Sequence, residues 1–202
     1  MNRLEATRIV VHAARDAPIV ASLGHPAYDL FAAGDRPQNF YMWGSMGVAS
    51  SIGLGVALAK PESRVFVVDG DGALLMNLGS LATIGLLQPP NLVVVVMDNG
   101  EYATTGGQPT PTAHGADLEA AARAMRLDAA TARTEADLQA LVEAPPSGVG
   151  RPSTGRQPLL IVAKVTESRP TAKPPLDCVY IKQRFMAAIG NPEAAARVVE
   201  RR

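Results

Sequence analysis

Short apolar runs recur along the chain and alternate with segments of helical period. Residues 18–23, 64–68, 92–97 and 158–165 are too short for helices and rich in β-branched side chains, so the pattern predicts strands. Residues 92–97 carry no polar position at all, as a strand buried on both faces would. Between these runs lie helix-like stretches at 26–33, 73–87, 116–125 and 135–144. Residues 39–43 lead into a small-residue segment, 46–60, whose Ser and Gly spacing suits a closely packed helix. Strands alternating with helices predict an α/β fold, a mostly parallel sheet with helices on both faces. The end, 181–202, reads as helix interrupted at Gly190-Asn191-Pro192.

One domain over 1–202 is the expected organisation, because the chain is long enough for one substantial core and short for two. No internal repeat or shift of composition marks a boundary. Residues 145–158 are rich in Pro, Gly and Ser without a hydrophobic period and read as a mobile surface loop. A balance of 19 basic and 19 acidic side chains, with arginines scattered, argues against nucleic-acid binding. No apolar run reaches the roughly 18 residues of a membrane span, and the mixed-charge N-terminus is not a signal peptide, so a cytoplasmic location is expected. Cys178 stands alone, which excludes a disulfide framework, a four-cysteine zinc site and a protein-ligated iron-sulfur cluster.

The candidate chemistry sits at two strand ends. One strand closes in Asp69-Gly70-Asp71-Gly72 and the next in Asp98-Asn99-Gly100-Glu101, so Asp71 and Asn99 lie 28 positions apart. One strand-helix-strand unit fits that interval and brings both ends to the carboxyl edge of the sheet, where α/β folds bind ligands. A carboxylate, an amide oxygen and a loop carbonyl suit magnesium, which shares its octahedral shell with phosphate oxygens and water. Gly70 and Gly72 let backbone amides approach a diphosphate, and the helix opening near Ala73 directs its positive end there. Taken alone, Gly-Asp-Gly is equally a tight turn.

With these residues in view, the chain resembles the thiamine diphosphate (ThDP) enzymes, in particular the diphosphate-binding domain of the sulfopyruvate and phosphonopyruvate decarboxylases. The resemblance implies that Asp71, Asn99 and the backbone of Glu101 hold Mg2+. The family's second motif opens Asn-Asn where this chain has Asp98-Asn99, which leaves the ligand position intact. Trp43-Gly44-Ser45-Met46-Gly47 is similar to a Trp-Gly-x-apolar-Gly stretch. The resemblance implies that the Gly44 carbonyl meets the aminopyrimidine and that Met46 wedges the cofactor into its bent form, with Ser45 between them. Gly24 and His25 follow the first strand where related decarboxylases contact cofactor or substrate; a helix-capping histidine is the alternative. The loop Tyr102-Ala103-Thr104-Thr105 borders the expected site. Thr105 occupies the position of a catalytic Glu in pyruvate decarboxylase, so the acid is absent and the proton must come from a partner chain, a histidine or water. Thr104, Thr105 and Gln108 are candidate contacts to a polar substrate tail, or plain loop residues.

A ThDP site needs a Glu at the pyrimidine ring, which the resemblance assigns to a separate pyrimidine-binding domain. No Glu of this chain stands in such a context; Glu62, Glu143 and Glu167 read as flanking turns. The resulting expectation is a β-type subunit of a 2-oxoacid decarboxylase, assembled with an α-type subunit as α2β2 or larger, that releases carbon dioxide and an aldehyde. A carboligase resembling acetolactate synthase, the β subunit of a 2-oxoacid:ferredoxin oxidoreductase, and a non-catalytic Mg-nucleotide module are the alternatives. The oxidoreductase is disfavoured by the single cysteine.

Overall fold

The computed structural model describes residues 1–144, 157–167 and 169–190. Its centre is a six-stranded sheet in which every pairing is parallel, built from β1 (Ile19–Ala21), β2 (Asn39–Tyr41), β3 (Val65–Gly70), β4 (Leu92–Asp98), β7 (Asp128–Ala132) and β8 (Leu159–Lys164). A two-stranded antiparallel hairpin, β5 (Glu101–Tyr102) with β6 (Gln108–Pro109), stands at its carboxyl edge. The helices are α1 (Arg3–Ala14), α2 (His25–Ala33), α3 (Ala49–Ala59), α4 (Asp71–Met76), α5 (Ser80–Leu87), α6 (Leu118–Ala124), α7 (Glu135–Glu143) and α8 (Cys178–Ala188), with a 3-10 turn at Pro111–His114.

Alternation along the strands divides the core in two. Ile19, Phe66, Val68, Val93, Val95, Ile161 and Ala163 meet α1, α2 and α7 on one face. Val20, Val65, Val67, Val94, Val96, Leu160 and Val162 meet α3, α5 and α6 on the other. All seven residues of β4 are buried, in keeping with the apolar run at 92–97. The edge strand β2 is covered by α8, which sends Ile181 into the first core and Phe185 into the second and ties Arg184 to Asp35 at 2.7 and 2.9 Å.

Strand order is β2-β1-β3-β4-β8-β7. The chain leaves β1 toward one side to form β2 and then crosses back to form β3 on the other. The connections at the carboxyl ends of β1 and β3 therefore diverge and leave a crevice between them.

Four expectations need correction. The helix at 73–87 is two helices, because Asn77 leaves helical geometry and donates through Nδ2 to Gly47 O at 2.9 Å. The loop 99–115 contains the hairpin and the 3-10 turn. The strand β7 was not expected, since Asp-Ala-Ala-Thr-Ala carries little β-branched or large apolar character; pairing with β8 imposes it. The helix α8 begins at Cys178, three residues earlier than its apolar pattern suggested, because Asp177 caps it by accepting from Tyr180 N at 2.8 Å. Residues 145–156 of the expected loop, and the expected helix from residue 191 onward, lie outside the described residues.

Gly85 marks where α5 passes the end of α6. A Cβ there would stand 1.7 Å from the Met125 carbonyl oxygen, a backbone atom that cannot swing away. Gly85→Ala is expected to destabilise the chain by about 1–3 kcal/mol in urea unfolding. Gly55→Ala, on the open side of α3 with nothing within 4 Å, is expected to stabilise it by roughly 0.5–1 kcal/mol.

Candidate functional site

The crevice between β1 and β3 is lined from five directions. The segment after β1 contributes Ser22, Leu23 and His25, and the segment after β2 contributes Met46. Gly70, Asp71, Gly72 and Ala73 come from the end of β3 and the first turn of α4. Asn99, Glu101, Tyr102, Ala103, Thr104 and Thr105 follow β4. Arg3 and Glu167 complete the wall. Gly24 lies just beneath, with Thr104 Cγ2 3.1 Å from where its Cβ would stand. Gly44 and Ser45 are exposed and do not line the crevice.

Asp71 is the first residue of α4 and is buried. Its Oδ2 accepts from Thr110 Oγ1 at 2.5 Å and from Thr112 Oγ1 at 2.8 Å. Neither hydroxyl reaches Oδ1. Burial raises the Asp71 carboxyl above its ordinary 3.8; the two threonine hydroxyls pull it back, and the neighbouring Asp98 adds to the rise. The same Thr112 Oγ1, with one proton for two carboxylates, lies 2.8 Å from Asp98 Oδ1, and Asp98 is further held by Gly100 N at 3.2 Å and by an ion pair with Lys164. Gly72 makes the arrangement possible: a side chain there would stand 2.3 Å from Tyr102 Cε1 and 3.0 Å from Thr110 Cγ2. The hairpin can close over α4 only on a residue without Cβ.

Asn99 Oδ1 accepts from Glu101 N at 3.2 Å, an Asx turn that shapes the backbone at Glu101. Its Nδ2 donates to Glu167 Oε1 at 2.5 Å. The reading of Glu167 as a turn-flanking residue is therefore incomplete, since its carboxylate also pairs with Arg3 and lies 3.3 Å from His25 Nδ1. Burial works against ionisation of Glu167, yet the hydrogen bond and charge of Arg3, with His25 and Asn99, hold its carboxyl below the ordinary 4.5. Arg3 also meets Asp29 of α2 at 2.5 Å. Arg3 and Glu167 were missed because nothing local marks them; they enter through pairing of the chain ends of α1 and β8. Thr110 and Thr112 fell within a loop whose polarity alone gave them no role.

The two other histidines, His12 and His114, are exposed and do not line the crevice. Cys178 is exposed at the start of α8. Gln108 is exposed and does not line the crevice. Thr105 lines the mouth while its Oγ1 donates to Tyr102 O at 3.4 Å. His25 is the first residue of α2, whose N-cap is Gly24.

The donors fit a magnesium diphosphate. Among the described residues no group of three or more His, Cys, Asp or Glu could hold a metal. The oxygen donors that could serve a cation here include the Asp71 carboxylate, the Asn99 amide and the Glu101 carbonyl, three residues that line one crevice. The first N–H groups of α4, which have no partner within the helix, border the same space.

A family model described as thiamine pyrophosphate enzyme, C-terminal TPP binding domain, matches residues 26–153. The chain is 48% identical over 124 residues to the sulfopyruvate decarboxylase subunit beta of Methanocaldococcus jannaschii, covering 61% of this chain and 65% of that protein. To the sulfopyruvate decarboxylase subunit beta of Methanococcus maripaludis it is 38% identical over 191 residues, covering 94% and 98%. It is 48% identical over 130 residues to the phosphonopyruvate decarboxylase of Streptomyces viridochromogenes, covering 64% of this chain and 32% of that one. Among solved structures, a thiamine diphosphate-dependent 4-hydroxybenzoylformate decarboxylase of Rhodococcus jostii superposes with a TM-score of 0.69 at 18% identity over 83% of this chain and 33% of its own, a likeness of fold.

The His25 environment generates a pH dependence. Burial, and then the charge of Arg3, lower its pKa below 6.5 against the opposing pull of Glu167 and Asp29. Between that lowered value and 6.5 the unfolded chain binds a proton that the folded chain does not, so stability falls as pH drops through this window. His25→Gln removes this contribution. Urea unfolding between about pH 7 and pH 5 is expected to show a shallower loss for the variant than for the parent.

Proposed function

Since the chain belongs to the thiamine pyrophosphate enzyme family, whose C-terminal TPP-binding domain it carries, we propose that it is the β-type subunit of a ThDP- and Mg2+-dependent 2-oxoacid decarboxylase. The observation that carries the proposal is the meeting of Asp71, Asn99 and Glu101 in one crevice that Met46 also walls. The substrate is a 2-oxoacid of the sulfopyruvate or phosphonopyruvate kind, in line with the names of the relatives. A pyrimidine-binding α-type subunit completes the enzyme as α2β2 or larger.

When bound, thiamine diphosphate supplies the electron sink that decarboxylation of a 2-oxoacid requires. Asp71, Asn99 Oδ1 and the Glu101 carbonyl hold Mg2+, and the first turn of α4 receives the diphosphate. Thr110 and Thr112 fix the Asp71 carboxylate by binding one oxygen. Met46 would pack against the cofactor, and the exposed backbone at Gly44 and Ser45 would be left for the partner to cover. Thr104, Thr105 and His25 border the space left for substrate.

Two observations support a partner. Glu167, which lines the crevice together with Asp71 and Glu101 among the described residues, is committed to Arg3, Asn99 and His25 and is not available to a pyrimidine ring. The apolar side chains of Val48, at the start of α3, and Met76, at the end of α4, are 36% and 59% exposed next to the elements that line the site.

Two outcomes are expected. Asp71→Ala abolishes Mg2+-dependent ThDP binding in titration calorimetry of the assembled enzyme while its circular dichroism is retained; unchanged affinity refutes the metal assignment. The chain saturated with ThDP and Mg2+ releases no carbon dioxide from 2-oxoacids until a subunit bearing the activating Glu is added. Robust turnover by the chain alone overturns the two-component reading, and an acetohydroxy acid in place of an aldehyde points to a carboligase.

A further inference from the structure

Glu167 reaches the crevice from outside the motif-bearing elements. It lies three residues beyond the end of β8 at Lys164, on a segment anchored by the first residues of the chain. Asn2 and Thr166 form an isolated parallel bridge, and Thr166 donates to Met1 O through its N–H at 2.9 Å and through its hydroxyl at 3.4 Å. One residue further along each segment stand Arg3 and Glu167, which form an ion pair. Arg3 is held from its other side by Asp29, and both of those side chains are no more than 3% exposed.

We infer that Glu167 is a positioning residue that sets the orientation of the Asn99 amide and thereby presents Asn99 Oδ1 to magnesium; the inference rests on the metal site proposed above. The two ends of the amide have unlike partners. Nδ2 donates to Glu167 Oε1 at 2.5 Å, and Oδ1 accepts from Glu101 N at 3.2 Å. A flipped amide would set its oxygen against a carboxylate oxygen and its NH2 against a backbone N–H, two repulsive pairs in place of two hydrogen bonds. Magnesium takes the oxygen and not the amide nitrogen, so the orientation decides whether Asn99 is a ligand at all. The same Asx turn shapes the backbone whose carbonyl is the third donor. One carboxylate, acting through one amide, governs two of the three protein ligands. Arg3 donates to the same Oε1, which keeps that oxygen in place.

The test is a magnesium titration of the full chain, in complex with its partner subunit where one co-purifies, at fixed ThDP. Binding is read by calorimetry and by the fluorescence of Trp43, the single tryptophan, which stands beside Gly44. Glu167→Ala is expected to raise the magnesium concentration for half-maximal ThDP binding about ten-fold or more, the usual cost of losing an outer-shell partner. Adding Asn99→Asp is expected to bring it back toward the parent value, because a carboxylate presents an oxygen in either orientation. Glu167→Met keeps the side-chain bulk and leaves Asp29 to Arg3; it takes the same role if the alanine chain does not fold. A folded Glu167 variant with the parent's magnesium requirement overturns the inference, as does a loss that Asn99→Asp does not restore. Asp71→Ala is run alongside. If it abolishes binding while Glu167→Ala leaves the magnesium requirement unchanged, the inference alone fails. If the parent shows no magnesium-dependent binding, the site reading fails with it.

Discussion

A parallel sheet buried on both faces has no surface to offer a ligand except the edges where its strands end. That constraint governs this molecule. With α1, α2 and α7 on one side and α3, α5 and α6 on the other, the interiors of the strands are closed to solvent. The carboxyl edge, opened between β1 and β3 by the reversal of strand order, is where polar groups can gather. His25, Asp71, Asn99 and Glu167 come from positions scattered from the first strand to beyond the last, and they meet because every strand ends on that edge.

The gathering has an electrostatic cost. Asp71 and Asp98 lie on either side of Thr112, whose single hydroxyl proton cannot satisfy both at once. The structure offsets this with Thr110 on Asp71 and Lys164 on Asp98. A dication beside Asp71 would offset what remains of the repulsion between the two carboxylates. Arg3 plays the corresponding part on the opposite wall, where it is buried with Asp29 and reaches out to the more exposed Glu167.

The site proposed here is asymmetric. Gly70, Asp71, Gly72 and Asn99 line the crevice, whereas Gly44 and Ser45 are exposed and Met46 is half-buried. This asymmetry is what a domain that binds one end of an elongated cofactor would show. It accords with the length relation to the Streptomyces viridochromogenes phosphonopyruvate decarboxylase, of which the alignment covers 32%.

Much of the fold could be read from the chain. The apolar runs at 18–23, 64–68, 92–97 and 158–165 became β1, β3, β4 and β8, because a fully buried strand has no use for polar positions and so announces itself. Asp71 and Asn99 were legible for a related reason: each directly follows such a run or its closing turn, and parallel strands share an edge. Which aspartate borders the crevice was decided by where β3 ends. Asp69, on the same face as Val65 and Val67, is sealed in the interior with its carboxyl pushed up to about 6 by burial, whereas Asp71 opens the next helix and borders the crevice. The strand β7 was beyond the sequence because its residues have little preference of their own and are held by β8. Arg3 and Glu167 were beyond it as well, since they are separated by most of the chain and their proximity rests on the pairing of Asn2 with Thr166. Local pattern encodes what a segment buries, and so it determined the strands and the motif residues at their ends. Only the packed structure could decide which distant charges would meet, because that depends on the order in which the strands lie side by side.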